Sequence, residues 1–435
     1  MRNILNRALL LPILLLTAFP AVAQNPISPM GVYIADPTSR VDRDGKLYIY
    51  GSLDTSTKYY CSKDYHVLSS DDLRHWTLHR NCFSWTETLY APDMMYHNGQ
   101  YHLFFDTPDG KEYVAVGDTP TGPCRDAVQI EGPRQIDPNI FIDDDGQAYY
   151  FWGQFAAKGA RMNPDLKTLD LSSMRDSIVT EAGHGFHEGS YVIRRGKYYY
   201  FIYADISRNK RPTCLGYSMA TSPLGPYEYK GIIIDNAGCD PETWNNHGSL
   251  VEYRGQWYVL YHRSTHSSQM MRKACIEPIR FNEDGTIDEV EMTSQGAAGP
   301  LNAFETIDAA RACQMRGHVR IRLMAGSQER EELGAIRAGD AAVWRYLDFK
   351  RGAKSITLRA QAPQGATITL HADTPDGPQV GTIEVPSQEG WQECRARIEK
   401  IKGKHALWLI FQPAAGNMTP PEADIMNLDW FRFGK

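Results

Sequence analysis

Four side chains able to move protons stand at matching places in this sequence: Asp36, Asp137, Glu188 and His247. Asp36 lies 9 residues before Gly45 and Asp137 lies 9 before Gly146, while Glu188 lies 8 before Gly196 and His247 lies 8 before Gly255. Carboxyl groups gathered at one cavity can divide general-acid and general-base work, one donating a proton while another takes one from water. Taken singly, each residue has a plainer reading. Asp36-Pro37 and Asp137-Pro138 are ordinary turn openers, because a residue before proline is pushed out of the helical region and Asp caps turns readily. Glu188 reads alone as a surface acid and His247 as a satisfied buried histidine. The matching phase of Ile34-Ala35-Asp36-Pro37-Thr38 and Gln135-Ile136-Asp137-Pro138-Asn139 against a repeat shifts the balance toward a shared site.

The repeat is a turn entering an aromatic strand. It occurs as Asp44-Gly45-Lys46-Leu47-Tyr48, Asn98-Gly99-Gln100-Tyr101, Asp145-Gly146-Gln147-Ala148-Tyr149, Arg195-Gly196-Lys197-Tyr198 and Arg254-Gly255-Gln256-Trp257. The glycines are 54, 47, 50 and 59 residues apart, within the range of β-propeller blades, about 40 to 50 residues or more. Five four-stranded blades are therefore expected, with their innermost strands lining one channel and the four titratable residues meeting at its mouth. The second copy carries Tyr90-Ala91-Pro92-Asp93 at the equivalent place, and Arg263, next to His262, is expected to reach the same pocket. Asp143-Asp144-Asp145-Gly146 has the look of a calcium loop but lacks the remaining ligands, and a hairpin turn explains it.

Around this stretch the chain reads as all-β, a five-bladed β-propeller over residues 28–291 followed by a β-sandwich over 302–435. The boundary is the small, turn-prone run from Met292 to Pro300, and the second unit alternates apolar and polar residues at 355–360 and 405–411. Trp344, Trp391, Trp408 and Trp430 there could stack on sugar rings, although core packing is the plainer reading of each. The 46 basic and 52 acidic residues leave a net charge of −6, which gives no basic face for nucleic acid or an anionic membrane and suits a neutral substrate. Residues 1–23 read as a secretory leader: Arg2 and Arg7, an apolar core from Ala8 to Phe19, and Ala21-Val22-Ala23 before cleavage. No later apolar run reaches the roughly 18 residues needed to span a bilayer, so a periplasmic or secreted protein is expected. Eight scattered cysteines without a Cys-x-x-Cys pair argue against zinc and leave open a Cys61–Cys82 disulfide or buried free thiols.

Ala35-Asp36-Pro37, Ile136-Asp137-Pro138-Asn139 and His187-Glu188-Gly189-Ser190, in that order on a five-copy propeller, resemble glycoside hydrolase family 43. The resemblance implies Asp36 as general base, Glu188 as general acid, and Asp137 as the residue that orients Glu188 and raises its pKa. It places Tyr90, Asp93 and His247 about the substrate, with a metal ion or water near His247. Tyr90 stands where the family commonly has Trp. The second unit resembles a family 6 carbohydrate-binding module through Trp344-Arg345-Tyr346, Gly390-Trp391 and Asn427-Leu428-Asp429-Trp430. By that analogy Trp344, Trp391 and Asn427 would face a sugar, and Glu305 and Asp429 would hold a structural calcium; the chemistry itself needs no cofactor. The activity implied is inverting removal of a terminal pentose from an oligosaccharide or polysaccharide. α-L-Arabinofuranosidase comes first, with β-xylosidase or exo-galactosidase as alternatives and a non-catalytic sugar-binding propeller as the reading from another class.

Overall fold

A computed structural model describes residues 24–435 apart from Met418; the leader expected over residues 1–23 lies outside the described residues. Residues 33–279 form five antiparallel sheets in chain order. Each begins with an inner strand: Tyr33–Val41, Asp93–His97, Asn139–Ile142, Phe186–Arg195 and Ser249–Tyr253. These strands touch one another around the axis. In each blade the repeat glycine makes the turn from this strand to the second. All five have φ between 59° and 89°, and no atom lies within 4 Å of where a Cβ would sit on any of them. Left-handed backbone, and not lack of room, is what demands glycine there.

Four blades have four strands, as expected, but the fifth has three: Ser249–Tyr253, Gln256–Arg263 and Lys273–Ile279. The amino-terminal segment takes the fourth place. Ile27 N donates to Ala274 O at 2.8 Å, Ala274 N donates to Ser28 Oγ at 3.0 Å, and Ile276 N donates to Asn25 Oδ1 at 2.9 Å. The ring is thus closed by the two ends of its own sequence. At the axis Asp93 ties three blades together, its Oδ2 accepting from Arg40 Nη2 (2.6 Å), Asn139 Nδ2 (2.7 Å) and Ile140 N (3.0 Å). All eight cysteines are buried free thiols, so Cys61 and Cys82 are not paired.

The second unit is one curled sheet folded into a sandwich around Trp344, Phe349, Leu358, Phe411, Phe431 and their neighbours. One of its layers packs on the propeller: Val343, Ala406 and Trp408 share a core with Ile233, Tyr261 and Cys275 of the fourth and fifth blades. The joint also holds a buried ion pair, Lys273 Nζ with Glu331 Oε1 and Oε2 at 2.7 and 2.6 Å. Removing one partner leaves a buried charge without compensation, a loss of about 3–5 kcal/mol. Glu331→Ala is therefore expected to lower the stability of the full chain by that order in urea unfolding, while Lys273→Met combined with Glu331→Leu recovers much of it.

Candidate active site

The inner strands do not run straight into the channel. Between Ala35 and Thr38 the pairing register of the first blade shifts, and it shifts again on both sides of Glu188 in the fourth. Asp36 and Asp137 have φ of 51° and 62°, a left-handed conformation that Asp tolerates better than most residues. The register shifts at Asp36 and Glu188, and the left-handed backbone of Asp137 just ahead of the third blade's inner strand, turn these side chains off the sheet and into the channel mouth. Gly189 (φ 81°) does the same for Glu188, and a Cβ there would meet the His247 ring at 3.2 Å.

The four proton-moving residues line one cavity of about 360 Å³, with Tyr90 on its wall. Asp36 is the most firmly held. Its Oδ1 accepts from Arg272 Nη1 at 2.7 Å, its Oδ2 accepts from Ser52 Oγ at 2.6 Å, and its N–H donates to His262 Nδ1 at 3.1 Å. That last bond puts the imidazole proton on Nε2, facing Asn245 O and Oδ1 at 3.2 and 3.1 Å. Burial alone would push the Asp36 carboxyl up, but the Arg272 guanidinium, with the two nearby histidines, outweighs it and holds the carboxyl well below its usual range. Arg272 is itself clamped by Asp54, its Nε and Nη2 donating at 2.9 and 3.0 Å. Burial draws His247 down to about 4, so it is neutral near pH 7; its Nδ1 lies 3.6 Å from Asp36 Oδ1 and 4.0 Å from Asp137 Oδ1.

Asp137 is pushed the other way. Burial and the carboxylates of Glu188, Asp106 and Asp36 raise it well above the usual range, against the Gly189 N–H that donates to its Oδ2 at 2.9 Å. Asp137 therefore retains its proton to higher pH than a free carboxyl would. The repulsion expected from the sequence at Glu188 falls instead on the deeply buried Asp137. Glu188 Oε2 accepts from Gln154 Nε2 at 2.9 Å. Behind Asp137, Asp106 Oδ1 accepts from its N–H at 3.3 Å.

Several expected residues lie elsewhere. Arg263 points away from the cavity to Tyr261 Oη (2.7 Å), Thr293 O and Glu277 (3.7 Å). Side chains alternate along a strand, so with His262 facing Asp36 its neighbour must face the other way. Asp93 is consumed by the axial network. Trp344 is fully buried against the edge of Phe431, with ring centroids 4.9 Å apart, and cannot face a sugar. The Arg359 guanidinium lies 4.9 Å over the Trp391 ring, and Asn427 Oδ1 accepts from Arg322 Nη2 at 3.1 Å. Asp429 is bound by Arg330 and Arg359, and Glu305 is an exposed partner of Asn302, so this donor set does not fit calcium. Among the described residues no three His, Cys, Asp or Glu side chains are grouped to hold a metal, at His247 or elsewhere. Conversely Arg272, Gln154, Tyr60, His187, Trp244 and Asn245 line the cavity without having been singled out. Arg272 had a signal. It immediately precedes the third strand of the fifth blade, which pairs back along the strand holding His262.

Comparison with known proteins places this geometry in context. The model of the glycosyl hydrolases family 43 matches residues 23–287, and that of the carbohydrate binding module (family 6) matches residues 308–435. The chain is 28% identical to a xylosidase/arabinosidase of Thermoclostridium stercorarium, over 89% of this chain and 96% of that one. It is 27% identical to an arabinoxylan arabinofuranohydrolase of Paenibacillus polymyxa, over 92% of this chain and 72% of that one. Among solved structures, the Bacillus subtilis arabinoxylan arabinofuranohydrolase in complex with cellotetraose superposes with a TM-score of 0.53 at 23% identity, covering 96% of this chain and all of that one.

Proposed function

Given that the chain belongs to glycosyl hydrolase family 43 and is a glycoside hydrolase, we propose that it removes terminal pentoses as an exo-acting, inverting α-L-arabinofuranosidase. Residues 28–291 would form the catalytic unit and residues 302–435 the appended module. The observation that carries the reading is the opposite bias of the carboxyls around one cavity that Glu188 also lines: Asp36 held ionised by Arg272, and Asp137, beside Glu188, pushed toward its protonated form. Hydrolysis needs that division, a proton delivered to the leaving oxygen on one side of the sugar and a water deprotonated on the other.

In this mechanism the terminal sugar fills the cavity, and Glu188, steadied by Gln154, protonates the glycosidic oxygen. Asp36, whose two oxygens are each fixed by one donor, accepts the proton of the attacking water through a remaining lone pair. Asp137 keeps the Glu188 turn in place through the Gly189 N–H, which donates to its Oδ2. His247, neutral and buried, offers a hydrogen bond to a sugar hydroxyl without adding charge. The two curated relatives named above, one a xylosidase/arabinosidase and the other an arabinoxylan arabinofuranohydrolase, support a pentose and keep β-xylosidase as the second reading. The leader-like start supports an exported enzyme, which amino-terminal sequencing of the processed chain would test.

The deciding experiment is turnover of 4-nitrophenyl α-L-arabinofuranoside, β-D-xyloside and β-D-galactoside, with the anomeric product followed by NMR as it forms. Arabinofuranoside is expected to turn over fastest, with inversion. Faster xyloside turnover moves the enzyme to the second reading, and a retained first product refutes the roles of Asp36 and Glu188.

A further inference from the structure

The C-terminal unit turns one layer of its sandwich toward the propeller and the other, built on strands Ala353–Ala362, Gln388–Ile401 and Met426–Gly434, away from it. Alternation sorts this outer layer cleanly. Ile356, Leu358, Cys394, Phe431 and Phe433 point into the core. Cross-strand pairing then sets Ser355 opposite Arg397 and Gly434, and Thr357 opposite Arg395 and Arg432, on the outward side. A groove of about 780 Å³, more than twice the catalytic cavity, runs over this face. Its walls carry Lys354, Arg395, Arg397, Lys400 and Lys435 and no acid, and its floor holds the nearly buried hydroxyl of Ser355.

Surface cations are usually solvated and mean nothing singly, but these five share one concave lining that holds no acid. Arg322, Arg330, Arg337, Lys350 and Arg359 of the same unit each have a carboxylate within 4.0 Å. Among the described residues none of the five groove cations does; Arg316 and Arg432 also lack one, so what distinguishes the five is their clustering in one groove. The chain as a whole is acidic, at −6, so a concave run of like charge without counter-ions runs against its balance. Such a run repels itself and is relieved by an anion. Arginine forks match carboxylates in pairs, and an open groove on a sheet face suits a chain better than a small ion.

We propose that this groove is a second carbohydrate site, separate from the propeller, that binds an acidic polysaccharide through the carboxylates of its uronate residues. The unit matches a carbohydrate-binding module, which favours a glycan as the occupant, and the charge selects an acidic one. Binding there would hold the enzyme on uronate-bearing regions of a polymer while the propeller works on neutral terminal sugars. This stands whether or not the propeller prefers arabinose.

The test uses the full chain and a uronate-bearing polysaccharide, compared with the same polymer after chemical reduction of its carboxyls, by calorimetry or affinity electrophoresis. Binding to the native polymer is expected to weaken at least about tenfold (about 1.4 kcal/mol) in the Arg395→Gln/Arg397→Gln double variant. It should weaken steeply as salt rises from roughly 50 to 500 mM and fall to the double variant's level on the reduced polymer. Turnover of aryl glycosides should be unchanged, since the groove faces away from the propeller. Both arginines are exposed, and a matching thermal melt shows that the variant folds; Lys354→Glu gives a second, independent change. Equal binding to native and reduced polymers overturns the proposal. So does tighter binding to anionic phospholipid vesicles or duplex DNA than to the acidic glycan.

Discussion

Asp36→Asn is expected to lower kcat on an aryl α-L-arabinofuranoside by about 10²–10⁴-fold, the range for a lost proton-transfer group, with KM changed little. Asn keeps the shape, its oxygen can still accept from Arg272 and its amide NH2 can donate to the Ser52 hydroxyl, so the loss isolates the base and not the architecture. Glu188→Gln should behave differently with leaving group. A nitrophenolate departs without help, so kcat on the aryl glycoside falls modestly, while turnover of a sugar–sugar linkage, whose oxygen must be protonated, falls by the full range. Equal losses on both substrates would remove Glu188 from the role of acid.

Arg272→Met is expected to have the second largest effect and to show it in two readouts. The side chain bridges Asp36 and Asp54, both buried, so its loss leaves two carboxylates without a cation, a destabilisation of about 3–5 kcal/mol. Without the guanidinium, burial is the dominant influence on Asp36 and drives its carboxyl upward. The acid limb of the kcat/KM profile therefore moves to higher pH. The sign for stability is consistent. A carboxyl held below its unfolded value adds stability that is present above about pH 4 and is lost as pH falls through the folded value; the variant forfeits that contribution at neutral pH. Should Met prevent folding, Arg272→Lys keeps a charge but not the fork that reaches both acids, and the same shift of the acid limb, reduced in size, is expected. An unmoved limb in a folded variant would mean that Arg272 serves structure alone.

What could be read in advance followed from locality. A turn that needs left-handed backbone announces itself by glycine, and five such turns at a common spacing carried the blade count, hence the meeting of residues from position 36 to position 247. Face parity was the weak point. Arg263 and His262 are neighbours, and only one of them could look into the cavity. The supports were also missed, although they share a mark: Asp54, Asp106 and Asp205 each end the second strand of a blade, where the chain returns to the channel mouth. Asp54 clamps Arg272 and Asp106 accepts from the Asp137 backbone. In the sandwich, the partners that decide each reading are remote in sequence. Nothing local to Asp429 reveals Arg330 or Arg359, and nothing local to Trp344 reveals Phe431.

The clasp at Asn25 limits how far the amino terminus could be trimmed. Its backbone N–H and side-chain amide together reach Ser294 O, Ile276 N and O, Glu277 Oε1 and Thr293 O. A peptidase that cut even two residues past Ala23 would sever this latch and leave the last blade with an open edge. Nor can the latch engage before its partners near residue 294 have been made, so the disc stays unfastened until more than two-thirds of the polypeptide exists.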